Sequence, residues 1–170
     1  MKTRLSVAAL LVSSALTFAA EPPPTLRIPG VAGRSITPVS LLGAGRMDVI
    51  VEGVEGDVVY HGLPLLEVIE KSGLETRTMA AGRKVAPAIV VATARDGYTV
   101  AFSVGELLMH RSDPRVYLVA ETAAGPLPEN EGPVRLIVLG DRLRSAYALK
   151  SIELRYVAQN PGPEPAKPKK

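Results

Sequence analysis

The chain has 170 residues, no cysteine and no tryptophan, with 20 Lys and Arg against 17 Asp and Glu for a formal net charge of +3. Without cysteine it forms no disulfide, carries no cysteine-linked lipid and offers no thiolate to a metal. The positive charge lies at the ends: dropping Lys2 and Arg4 leaves 18 basic against 17 acidic residues, and dropping the stretch from Asn160 leaves 15 against 16, so the near-neutral middle excludes nucleic acid as a partner.

In chain order, Lys2 and Arg4 precede an apolar run from Leu5 to Phe18, closed by Ala19 and Ala20. That is the layout of a secretory signal, too short to span a bilayer. Cleavage is expected after Ala19 or Ala20, giving a periplasmic or secreted protein without a membrane span. Residues 21–34 read as an extended N-terminal segment opening on Pro22-Pro23-Pro24, although apolar residues of domain character begin at about Leu26. Residues 35–157 read as one domain, and 158–170 as a disordered Pro- and Lys-rich tail.

Within the domain, Met47 to Glu52 and Val58 to His61 read as strands. "GAGRMD" at Gly43 to Asp48 is not a dinucleotide site, because its third glycine is missing and a strand follows. His61 is expected to precede a Gly-Leu-Pro turn. Leu63 to Ser72 reads as a helix with Pro64 at its first position; Leu65, Val68 and Ile69 share a face, Glu67, Glu70 and Lys71 point away, and Gly73 is a left-handed stop. Ala88 to Thr93 and Tyr98 to Phe102 flank Asp96-Gly97, read as a two-residue hairpin turn with both positions at positive φ. Ser103 and Glu106 form a capping box ahead of a short helix that His110 ends. Arg115 to Glu121, Val134 to Val138 and Ile152 to Val157 complete the strands, the last with Ile152, Leu154 and Tyr156 on one face. Tight turns and short helices argue against a doubly wound fold and predict α+β: a mostly antiparallel, partly barrel-like mixed sheet with short helices.

Little in the sequence points to catalysis. His61 and His110 are the only histidines, and neither stands in a nucleophile or metal-ligand spacing, so no catalytic residue and no metal ligand is assigned. Tyr60, His61, Asp96 and Tyr98 are candidate pocket residues, though a turn role accounts for Asp96 and strand filling for the tyrosines. Arg135 shares a strand face with Ile137 and needs an acceptor, for which an internal partner is favoured over a bound anion. Arg142, Arg144 and Lys150 read first as solvated charges.

Four stretches carry a resemblance: "YHGLPLLEVIEKSGL", "ARDGYTVAFSVGEL", "VYLVAE" followed by "GPLPENEGPVRLIVLGD", and "LKSIEL". In this order they are similar to the oxidoreductase molybdopterin-binding domain of the sulfite oxidase family, in its small stand-alone bacterial form, over about Ser35 to Val157. The resemblance implies a compact α+β domain. In the family's enzymes a pterin dithiolene and one cysteine thiolate hold molybdenum, the cysteine shortly before the motif matched here by Tyr60 to Leu65. This chain has Gly53-Val54-Glu55-Gly56 there, and Leu139 replaces the proline of the family's "GPvRlvvPg" strand. Arg135, Asp141, Arg142, Arg144 and Lys150 are the cofactor-contacting positions the resemblance implies. The expectation is a non-catalytic exported module without a cofactor, binding a periplasmic protein or a small ligand. The alternatives are a molybdopterin-dependent oxidoreductase with atypical ligation and a metal-free pterin or anion binder.

Overall fold

Apolar residues at every second position dominate the middle of the chain and produce two sheets. In a computed structural model, which describes residues 22–52 and 56–156, the first sheet joins β1 (Thr25–Arg27), β2 (Arg34–Ser35), β5 (Ile89–Ala94), β6 (Thr99–Ser103) and β10 (Leu149–Arg155). The second joins β3 (Met47–Val51), β4 (Val58–Pro64), β7 (Val116–Thr122), β8 (Gly125–Pro126) and β9 (Arg135–Val138). Between them run α1 (Pro38–Gly43), α2 (Leu65–Lys71), α3 (Met79–Val85), α4 (Val104–Met109) and a 3-10 turn over Arg142–Arg144. The expected signal and C-terminal tail lie outside the described residues.

Strand order is β2-β1-β10-β5-β6 in the first sheet and β3-β4-β7-β8 in the second, where β9 pairs with the first half of β7. Every pairing is antiparallel except β1 with β10. The fold is therefore a single α+β domain, as expected, but the two sheets stay separate and do not close into a barrel. The N-terminal segment read as extended supplies β1, and Leu26 and Ile28 enter the core.

One core fills the space between the sheets, with Phe102, Leu118, Leu136 and Ile152 almost inaccessible. A smaller cluster of Val49, Tyr60, Tyr117, Val119 and Ile137 covers the outer face of the second sheet. Strand β7 is thus apolar on both sides, which is why its sequence runs VYLVA without polar alternation. On β9, Leu136 and Val138 join the main core, whereas Ile137 joins the outer cluster. A bridge between Leu136 and Ala146 then carries the chain from the second sheet back to β10.

Several local expectations change. The segment from His61 to Pro64 is not a turn: it continues β4, pairs with β7 across a bulge, and buries His61 to 7% exposure. A β-carbon on Gly62 would lie 2.0 Å from the Leu118 carbonyl oxygen, so only glycine lets the strands approach here. Pro64 caps α2 rather than opening it. At the other end, Gly73 N–H bonds Glu70 O and Leu74 N–H bonds Ile69 O, the paired closure expected of a glycine stop. The hairpin connection between β5 and β6 is longer than two residues: Ala94 N–H bonds Tyr98 O across Arg95, Asp96 and Gly97. Gly97 alone takes positive φ (89°), its N–H bonds Ala94 O, and Asp96 stays outside the left-handed region. Tyr156, expected within the last strand on the face of Ile152 and Leu154, instead follows the end of β10 and is exposed, while those two are buried.

Candidate functional site

The end of β9 opens on two sides. Leu139 N–H bonds Arg115 O, Gly140 turns the chain at φ 77°, and Asp141 N–H returns to Val138 O. Asp141 then caps the 3-10 turn: Oδ1 accepts from Arg144 N–H at 3.1 Å and Oδ2 from Arg144 Nε at 2.7 Å. The same guanidinium donates to Glu106 Oε1 at 2.8 Å and lies 5.3 Å from the centre of the Phe102 ring. These hydrogen bonds, foremost that from the Arg144 side chain, hold the Asp141 carboxyl below its ordinary 3.8. Reciprocally, Asp141 first and Glu106 second raise the Arg144 guanidinium above its ordinary range.

Glu106 reaches Arg144 because it does not complete the expected capping box. Its N–H bonds Ser103 Oγ at 2.9 Å, but its carboxylate turns away from the Ser103 N–H to the guanidinium. Beyond it lies a cleft of about 510 Å³ floored by Pro64, Leu66, Leu107, Val116, Val138 and Leu139. From α2, Glu70 (side chain 11% exposed) faces this cleft and pairs with Arg111 at 2.8 Å. Arg111 also donates to Thr76 Oγ1 at 2.7 Å, and the Thr76 hydroxyl donates to Glu70. Arg77, His110 and Arg115 complete the rim.

The other side of the strand end is a groove that shares Val138, Leu139 and Gly140 with the cleft and is lined by Tyr60, Arg135, Arg142 and Tyr147. Arg135 is satisfied internally: NH1 donates to Tyr60 OH and to Glu131 Oε2, each at 2.7 Å. The guanidinium carbon sits 4.1 Å from the Tyr147 ring centre and 5.1 Å from that of Tyr60. Its Nε is buried and meets no acceptor among the described residues. Arg142 donates to Glu52 O at 3.1 Å.

The candidate positions therefore separate. Asp141 and Arg144 line the cleft; Tyr60, Arg135 and Arg142 line the groove; Lys150 is exposed on β10, beside a different depression with Arg95 and Glu153. The four candidate pocket residues do not form one pocket. His61 Nδ1 faces Asp48 Oδ1 at 3.0 Å, Asp96 Oδ1 accepts from Tyr98 N–H at 2.8 Å, and the Tyr98 hydroxyl donates to Leu143 O. Tyr60 and His61 are consecutive on β4 and point to opposite faces.

Sequence reading passed over Glu70, Arg77, Glu106, Arg111 and Arg115. They come from separate elements and follow no common spacing; the sole local signal was Glu106, already accounted for as a capping residue. Among the described residues no group of three or more His, Cys, Asp or Glu is placed to hold a metal ion, and no helix is long and apolar enough to cross a membrane. No protein-family model matches the chain, and no curated protein sequence matches it either.

Proposed function

We propose that this chain is an exported, non-catalytic binding module of the molybdopterin-binding-domain type, and that it holds a small ligand in the cleft at the end of β9. One observation carries the reading. The rim Gly140 to Arg144 opens on a cleft of about 510 Å³ with an apolar floor and a ring of oriented charges, within the size range of small-molecule sites. Arg144 supports it further, because its two carboxylate partners fix the guanidinium before any ligand arrives.

Molybdenum does not fit the donor set. The resemblance puts the ligating cysteine within Gly53–Gly56, and the chain has no cysteine to supply a thiolate.

The test is elemental and small-molecule analysis of the protein purified from its own host. The expected result is a bound small molecule, released on denaturation and absent from an Arg144→Met variant, with no stoichiometric metal. Stoichiometric molybdenum with a pterin would overturn the proposal in favour of an oxidoreductase.

A further inference from the structure

The charges of the cleft narrow the ligand class, an inference that rests on the binding reading above. Glu106 and Asp141 both hold Arg144, so this end has two carboxylates for one guanidinium and an excess negative charge. Oε2 of Glu106 meets no donor among the described residues. The middle is balanced: Glu70 pairs with Arg111 and Glu67 with Lys71, each at 2.8 Å. Arg115 is taken up by Asp113, whose side chain is 74% exposed. That leaves Arg77, exposed on the rim, whose side chain has no partner among the described residues.

The cleft is thus neutral in sum and polar along its length. Glu106 stands in the first turn of α4. Arg111, which donates to the hydroxyl of Thr76 beside Arg77, follows the end of the same helix. The two groups of charge therefore lie towards opposite ends of α4. A simple anion would meet the excess charge of the Glu106–Asp141 end, and a simple amine would meet Arg77; each loses at one end what it gains at the other. A molecule with both charges and an apolar body between them meets a complement at each end and along the floor.

We infer that the cleft takes a zwitterionic short peptide with apolar side chains, its ammonium group against Glu106 and Asp141 and its carboxylate on Arg77. A dipeptide brings two apolar side chains to the floor where a free amino acid brings one. The floor residues Leu66, Leu107, Val116 and Val138 supply the apolar contact.

Calorimetric titration of the full chain with leucyl-leucine, its N-acetyl form, its C-terminal amide and free leucine tests this. Leucyl-leucine should bind, and each blocked form should bind about tenfold more weakly, the loss expected for one charge-assisted contact. Arg77→Gln, at an exposed and unpartnered position, should melt with the parent and erase the difference between leucyl-leucine and its amide. Free leucine binding as tightly as the dipeptide would overturn the assignment of a peptide. An acetylated peptide binding as well as the free one would overturn the inference and leave the cleft reading standing. Binding of none of these probes, nor of hexanoate or hexylamine, would remove both.

Discussion

Replacing Arg135 with methionine isolates what the groove side of β9 contributes to stability. Methionine keeps much of the stem's volume and removes the guanidinium, which donates at 2.7 Å to both Tyr60 OH and Glu131 Oε2. Breaking a buried ion pair costs about 3–5 kcal/mol, chiefly by stranding the remaining charge. The Glu131 side chain is 21% exposed, so water offsets part of that and the low end applies. Loss of the contacts with the Tyr60 and Tyr147 rings adds about 1 kcal/mol. Against this, the buried Nε that meets no acceptor is gone, which returns about 1–2 kcal/mol. The net expectation is a loss of about 2–3 kcal/mol.

Urea unfolding of the full chain, followed by circular dichroism, reads this as a lower midpoint at unchanged m-value. Adding Glu131→Gln to Arg135→Met removes the stranded charge and should recover about 1–2 kcal/mol, whereas Glu131→Gln alone should destabilise. A variant Arg135→Met within about 0.5 kcal/mol of the parent would refute the reasoning, since the arginine would then contribute little to the fold and its buried position would need another cause.

Gly62→Ala would place a β-carbon 2.0 Å from Leu118 O and 2.7 Å from Val119 Cα, and should cost about 3 kcal/mol or more by forcing β4 from β7; a thermal midpoint equal to the parent's would contradict that contact. Asp141→Asn should flatten the acid limb of stability. The folded carboxyl lies below its ordinary 3.8, so its contribution is full above that value and is lost as pH falls through the folded one. Thermal midpoints measured downward from about pH 5 should therefore fall faster for the parent than for the variant, and parallel curves would count against the Arg144 clamp. Tyr98→Phe deletes the donor to Leu143 O and should cost under about 1.5 kcal/mol while speeding amide exchange at Arg144; unchanged exchange would show that this hydroxyl does not steady the turn.

What could be read in the sequence was what is local. The helix over α2 showed its apolar face and its glycine closure, the hairpin showed Asp-Gly, and β9 showed which side Arg135 takes. The hairpin's loop length was misjudged because Asp-Gly suits more than one loop, and the register that selects among them is set by the pairing of Thr93 with Thr99. The stretch after His61 looked like a turn because glycine and proline commonly break strands; here glycine is needed for close approach and Pro64 occupies the last strand position. Strand β1 has three residues and pairs with β10 more than a hundred positions away, a contact that no window of sequence contains. Helix α3 buries only Val85 and so shows no apolar stripe. The cleft was legible at Asp141 and Arg144 alone, since its remaining charges meet only after the sheets are assembled.

Arg135 and Arg144 show how one strand end can carry two roles. Both are arginines held by carboxylates, yet the origin of the partners differs. The partners of Arg135 are Glu131, four positions earlier, and Tyr60 on β4. Both belong to the second sheet and its connections, so the pair closes a surface within one layer. Arg144 takes Asp141 from its own turn but Glu106 from α4, the helix that continues β6 of the first sheet. Its clamp therefore joins the two layers at the point where the main core reaches solvent, through Leu107 and Val138. A cleft formed across such a joint has walls from both layers, and a ligand seated there would add contacts between them. That is the physical reason to look for binding on the Arg144 side of β9 and for stability on the Arg135 side.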